Sequence, residues 1–317
     1  MRYTLVNGFK ASVIAFGSTD FGGRCSEGNA FDMLDAFYEM GGNYIDTAHV
    51  YGDFATPKNG ESEKVIGHWL RGKRRDSIFL STKGAHHVLG TEPVGRLSRE
   101  ELRRDSSESL EALETDHVDI YWLHRDNPAY SVGEVMENLQ ELIEKGVTKA
   151  VGASNWSAAR IREANAYAAS HGLTPFTANQ PQLSLARQAV VEDPSLVWAE
   201  QDTLELHAET QMLMTPFSSQ AKGFLAKLHE VGEAGMPDKA KRRFYTPENI
   251  AVYNRCEEVS KKTGISIAAL SILWFEDQPF PISPIIGISK LSQLDAMKEA
   301  AGVTLDKETR DYLKKLM

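Results

Sequence analysis

Cysteine is nearly missing from this chain: Cys25 and Cys256 are the only two in 317 residues. Two thiols so far apart build no disulfide framework, and a reducing cytoplasm is the compartment expected. Long apolar runs are missing too. The longest, residues 265–275, is broken by Ser266 and Ser271 and falls short of the about 20 residues that span a bilayer. The opening MRYTLVNGFK has no apolar signal-peptide segment, so no membrane partner is expected. Positive charge is scarce, with 35 Lys and Arg against 44 Asp and Glu and a net charge of −9. A nucleic-acid partner needs a basic face. The basic stretches 71–75 and 239–243 are isolated and read as solvated surface.

A Rossmann fingerprint is also lacking. Gly17-Ser18-Thr19-Asp20-Phe21-Gly22-Gly23 follows the first strand candidate, but its glycines have the wrong spacing for G-x-G-x-x-G.

What is present is alternation. Asn7-Gly8 between two short extended runs reads as a hairpin turn. Apolar strand candidates then recur at 13–16, 44–47, 78–82, 118–123, 149–152, 176–179, 212–217 and 284–288. Helical periodicity fills the gaps at 61–70, 98–113, 132–145, 158–170, 197–208, 247–263 and 292–300. Ser98-x-x-Glu101 is a capping box, and Gly146, Gly172, Gly264 and Gly302 stand at helix ends. Residues 223–245 carry little pattern and read as a loop and candidate lid. Apolar strands alternating with helices mean a parallel sheet covered on both faces. Eight units predict an α/β fold, a single (β/α)8 TIM barrel with an N-terminal β-hairpin, occupying residues 1–317 as one domain.

In such a barrel chemistry gathers at the C-terminal strand ends. Those ends carry Asp46, Lys83, His124, Ser154-Asn155, Gln180, Phe217 and Ser289, with Tyr51 five residues beyond Asp46. A tyrosine hydroxyl becomes a useful acid beside a cation. Lys83 can supply that cation, Asp46 can hold Lys83, and His124 can orient a carbonyl oxygen. Each residue alone has an ordinary structural reading; four at one barrel mouth point to a site. His86-His87 invites a metal assignment, but adjacent histidines do not readily share one ion. They read as pocket-lining polar groups, and no metal site is expected.

Ile45-Asp46-Thr47-Ala48-His49-Val50-Tyr51-Gly52, Ser81-Thr82-Lys83, Leu123-His124-Arg125 and Gly152-Ala153-Ser154-Asn155 resemble the aldo-keto reductases, and the resemblance runs through essentially the whole chain. It implies an NAD(P)H-dependent oxidoreductase that interconverts an aldehyde or ketone with its alcohol, the substrate being expected as sugar-like. The implied tetrad is Asp46, Tyr51, Lys83 and His124, with Tyr51 as proton donor. The implied cofactor is NADPH, with NADH as the alternative. Its implied contacts are Ser18, Thr19 and Asp46, then Ser154, Asn155 and Gln180 at the carboxamide. Phe217 would stack on the nicotinamide, and Ser218, Ser219, Gln220, Ala221 and Lys222 would meet the pyrophosphate. Gly287, Ser289, Lys290 and Gln293 would meet the adenosine 2′-phosphate. Two departures stand out: Ser219 where proline is common, and Ala296-Met297 where many members carry Glu-Asn against adenine. Phe21, Tyr51, His124, Arg125 and Trp156 are expected around a small carbonyl or alcohol substrate. Some similar proteins are cofactor-sensing regulatory subunits of membrane channels, a second implied role. The sequence assigns no oligomeric state.

Overall fold

The computed structural model describes residues 1–6, 8–52, 60–73, 75–276 and 278–314. Asn7 of the hairpin turn and Arg74 of the first basic stretch lie outside them.

Two antiparallel strands, β1 (Tyr3–Val6) and β2 (Phe9–Ser12), form the hairpin. Eight parallel strands follow: β3 (Ala15–Gly17), β4 (Tyr44–Asp46), β5 (Phe79–Gly84), β6 (Ile120–Leu123), β7 (Val151–Ser154), β8 (Phe176–Gln180), β9 (Leu213–Met214) and β10 (Ile285–Gly287). The sheet order β10-β3-β4-β5-β6-β7-β8-β9 is sequential around a ring. The amides of Met214, Ser283 and Ile285 donate to Pro281, Met214 and Pro216 at 2.9 Å, joining the β9 and β10 edges. The barrel is closed, as expected from the eight repeats.

The period of two along each strand sorts side chains into two cores. Tyr44, Phe79, Ile120, Trp122, Ala178 and Leu213 fill the barrel interior, and Val6 and Ala11 of the hairpin plug its floor. Phe16, Ile45, Leu80, Tyr121 and Val151 face outward against the helices. The same alternation aims Asp46, Ser81, Lys83 and His124 at the barrel axis, above the apolar plug. Gly152 permits this packing: a Cβ there would lie 2.3 Å from the Trp122 ring.

The helices are α1 (Glu27–Glu39), α2 (Glu61–Leu70), α3 (Arg99–Ala112), α4 (Val132–Glu144), α5 (Ala158–His171), α6 (Gln201–Thr210), α7 (Phe224–Gly235), α8 (Asp238–Phe244), α9 (Pro247–Thr263), α10 (Ile267–Leu273), α11 (Leu294–Gly302) and α12 (Lys307–Lys314). Ser98 and Glu101 form the anticipated capping box on α3, and Gly172 and Gly264 end α5 and α9 in left-handed conformation. Residues 223–245 are not a loop. They fold as α7 and α8 because Phe224, Leu225, Leu228 and Phe244 find a buried face, while Gly232 at φ 64° breaks the helical pattern. The apolar run 265–275 contains the buried α10. No helix among the described residues is long and apolar enough to cross a membrane.

Candidate active site

Lys83 leaves the end of β5 pointing inward and is 1 % exposed. Its Nζ donates to Asp46 Oδ2 at 2.5 Å and to the Thr47 carbonyl at 2.7 Å, and it is hydrogen-bonded to the Tyr51 side chain. Burial opposes its charge, but Asp46 and Tyr51 outweigh that opposition and hold the Lys83 pKa above its ordinary value. That balance favours the charged form of Lys83. The other Asp46 oxygen, Oδ1, accepts from Ser81 Oγ at 2.8 Å and from the Gln180 amide at 3.1 Å. Every oxygen of a carboxylate without solvent is thereby satisfied, which is what a buried charge requires.

Tyr51 is half-buried. Its ring lies 4.6 Å from Lys83 Nζ and meets the His124 ring edge-on, centroids 5.8 Å apart. Two backbone bonds hold the chain on either side of it: Gly60 N donates to the His49 carbonyl and Ser62 N to the Tyr51 carbonyl, both at 3.1 Å. Gly52, at φ 90°, follows; a Cβ there would sit 2.9 Å from the Phe21 carbonyl. Only glycine lets the chain turn here without displacing Tyr51.

Burial drives the His124 pKa well below its ordinary value, and the neighbouring His86 and Arg125 push the same way. The imidazole is neutral. His86 packs edge-on against it at 4.6 Å, and burial, with Arg125, pushes the His86 pKa down to about 3. His86 and His87 stack at 4.1 Å. Asp46, Tyr51, Lys83 and His124 therefore converge on one half-open mouth, with one fixed cation and one neutral imidazole on either side of a phenol. That arrangement can give a proton to a carbonyl oxygen and accept it back.

The residues expected on the cofactor side follow the same strand ends. Ser18 is buried and donates to the Asp46 carbonyl at 3.1 Å, while Thr19 is exposed. Ser154 Oγ donates to the Gln180 carbonyl at 2.9 Å, and the Asn155 amide donates to Ser154 Oγ and the His124 carbonyl at 3.2 Å. Asn155 adopts φ 61°, a left-handed turn directly beyond β7. Phe217 is half-buried above the inner core. Ser218, Ala221 and Lys222 have φ of 52°, 50° and 56°, and Ser219 Oγ donates to the Pro216 carbonyl at 2.6 Å. Gln220 is tied to Ala268 and Ser271 of α10. Three non-glycine residues in left-handed conformation within five mark a strained segment, of the kind stored at ligand-binding turns. Lys222 shares its field with Arg24, Lys239 and one carboxylate, Asp20. In a chain of net charge −9, this local excess of cations suits an anion.

Gly287 at the end of β10 and Ser289, Lys290 and Gln293 beyond it form an exposed rim. The Gln293 side-chain oxygen accepts from the Ser289 and Lys290 amides at 2.8 and 3.0 Å, shaping that turn. Of the pair standing where many members carry Glu-Asn, Met297 is fully buried in the outer core on α11 and Ala296 is half-buried.

The expected substrate residues divide. Tyr51 and His124 line the mouth. Phe21 and Trp156 are each 1 % exposed and pack on Phe16 and Phe176, so they back the wall rather than form its surface. Arg125 is buried and committed: Nε donates to Ser195 Oγ at 2.9 Å, one Nη to the His124 carbonyl at 2.8 Å, and the other to Asp193 Oδ2 at 3.3 Å. It staples the β8–α6 segment to the end of β6. Sequence reading gave no role to Ser62, Glu63, Ser81, Asp193 or Ser195. Ser81 was findable as the inward neighbour two positions before Lys83; Asp193 and Ser195 carry no local signal.

The aldo/keto reductase family model matches residues 13–317. A probable aryl-alcohol dehydrogenase of Saccharomyces cerevisiae is 28 % identical over 310 residues, covering 93 % of this chain and 89 % of its own. An aryl-alcohol dehydrogenase of Pestalotiopsis microspora is 28 % identical over 303 residues, covering 92 % and 73 %. A norsolorinic acid reductase of Aspergillus flavus is 27 % identical over 319 residues, covering 95 % and 76 %. The names of these relatives lend the channel-subunit expectation no support.

Proposed function

Because the chain belongs to the aldo/keto reductase family and is an oxidoreductase of carbonyl and alcohol groups, we propose that it interconverts an aromatic or comparably apolar aldehyde or ketone with its alcohol. The reading takes residues 1–317 as one such domain, acting in the cytoplasm with a nicotinamide dinucleotide, NADPH ahead of NADH. Two features support an apolar substrate over the sugar-like one expected above. The segment after β5 exposes Val88 and Leu89 next in sequence to His86 and His87, both with lowered pKa, and the β8–α6 segment exposes Val190 and Val191. Relatives at 28 % identity are named for aryl alcohols.

When bound, the reduced cofactor supplies the hydride for the carbonyl carbon. The residues suit it: Ser154, Asn155 and Gln180 for the carboxamide, Phe217 for stacking, Ser18, Thr19 and Asp46 beside it, 218–222 for the pyrophosphate. Gly287, Ser289, Lys290 and Gln293 are assigned to the 2′-phosphate, with exposed Lys290 supplying the charge.

Tyr51 gives its proton to the carbonyl oxygen in reduction and takes it from the hydroxyl in oxidation. Lys83 stabilises the phenolate oxygen left behind, and Asp46 keeps Lys83 aimed. Neutral His124 orients the carbonyl by hydrogen bonding without adding a competing charge. The observation that carries the reading is the Asp46–Lys83–Tyr51 chain, sealed from solvent at its Asp46 and Lys83 end. Fluorescence titration with NADPH and with NADH, followed by turnover of aromatic and sugar aldehydes, tests it. Tighter NADPH binding and faster aromatic turnover are expected; NADH preference or sugar preference overturns the corresponding half.

A further inference from the structure

Glu63 belongs to none of the roles above, yet it is completely buried behind the site. It stands in the first turn of α2, one residue after Ser62, whose amide holds the Tyr51 carbonyl. Its Oε1 accepts from Thr82 Oγ1 at 2.5 Å, and Thr82 is the outward-facing neighbour of Lys83 on β5. Its other oxygen, Oε2, has only the Ser109 hydroxyl of α3 beside it, without a well-aligned hydrogen bond. A fully buried carboxyl with one well-formed hydrogen bond is costly to keep for packing alone.

We propose that Glu63 is a positioning residue that acts on Tyr51 through Lys83: its ionisation adds a negative charge behind the cation and makes Tyr51 surrender its proton less readily. This inference rests on the proposed carbonyl reduction. The groups facing Glu63 are His49 from the segment after β4, Thr82 and Lys83 on β5, Ser109 on α3 and Tyr121 on β6. Around them lie Asp105, held by Arg96, and Glu108, paired with His49 at 2.7 Å. Burial raises the Glu63 pKa to about 7, against opposing pulls from Thr82, His49, Ser109 and Lys83. Glu63 thus changes charge in the working pH range, whereas Lys83 does not. An added charge a strand's thickness away is expected to alter proton transfer roughly threefold to tenfold in a protein interior.

The experiment is single-turnover reduction of an aromatic aldehyde by the cofactor-loaded enzyme from pH 6 to pH 8.5, native against Glu63→Gln. The Gln variant is expected to match native at pH 6 and to run about threefold to tenfold faster at pH 8.5, the ratio rising with a midpoint near 7. Cofactor affinity is expected to stay unchanged. A pH-independent ratio overturns the proposal, since a purely structural carboxyl would slow the Gln variant at every pH. Thr82→Val provides a second arm that leaves Glu63 in place: loss of its hydrogen bond moves the midpoint upward, and an unmoved midpoint overturns the proposal. A native enzyme that reduces no carbonyl overturns the functional reading as well, which separates the two failures.

Discussion

Lys83 and Asp46 meet at 2.5 Å across neighbouring strands, and neither side chain is more than 1 % exposed. A buried pair contributes little when intact but becomes expensive when one partner is removed, because the other charge is then stranded. Asp46→Asn is expected to cost about 3–5 kcal/mol of folding stability and to lower kcat together. Urea unfolding and steady-state turnover check both; a stable, active Asn variant contradicts the pair's assigned role.

Three histidines couple the fold to pH. Burial pushes His124 well below its ordinary pKa, and sends His86 to about 3 and His207 to about 4. The unfolded chain protonates them near 6.5, so below that pH it binds protons that the native state refuses. Stability therefore falls as pH drops from about 6.5, by up to about 1.4 kcal/mol per pH unit for each histidine. Glu63 acts oppositely between about 4.5 and 7, because there the native state holds the extra proton. Urea midpoints from pH 7 to pH 4.5 are expected to decline. His207→Gln is expected to flatten that decline, since it removes one contributor remote from the mouth.

How much of this was legible is best judged residue by residue. Apolar strands alternating with helices announced the barrel, and strand-end placement singled out Asp46, Lys83 and His124 as candidates, because both are local properties. The buried partners were hidden. Glu63 reads as one more acid at a helix start until α3 and β5 are seen to bury it. Arg125 reads as a substrate cation until Asp193 and Ser195 are brought to it by the β8–α6 segment. Residues 223–245 lacked a clean helical pattern because Gly232 and Pro237 divide it, and only tertiary burial of Phe224, Leu228 and Phe244 stabilises α7 and α8.

The Arg125 staple makes a prediction of its own. Asp193→Asn weakens the anchor of the β8–α6 segment and leaves the Arg125 charge poorly compensated in a buried setting. Limited proteolysis near the exposed Val190 and Val191 is expected to accelerate severalfold, with KM for the carbonyl substrate rising more than kcat falls. Unchanged cleavage and unchanged KM contradict the staple.

Gly152 tests the inner core. A methyl group there meets the Trp122 ring at 2.3 Å, and a strand backbone cannot easily retreat. Gly152→Ala is expected to destabilise by about 1–3 kcal/mol, lowering Tm in a calorimetric scan. It also disturbs Ser154 and Asn155 just beyond, so cofactor affinity is expected to fall with it.

The central claim is that the Tyr51 hydroxyl moves the proton. Single-turnover reduction by Tyr51→Phe, with cofactor binding followed by fluorescence in the same samples, addresses it most directly. Loss of a positioned general acid predicts a fall of about 10²–10⁴-fold in rate with cofactor affinity unchanged. A Phe variant that binds cofactor and reduces the carbonyl at close to the native rate contradicts the account.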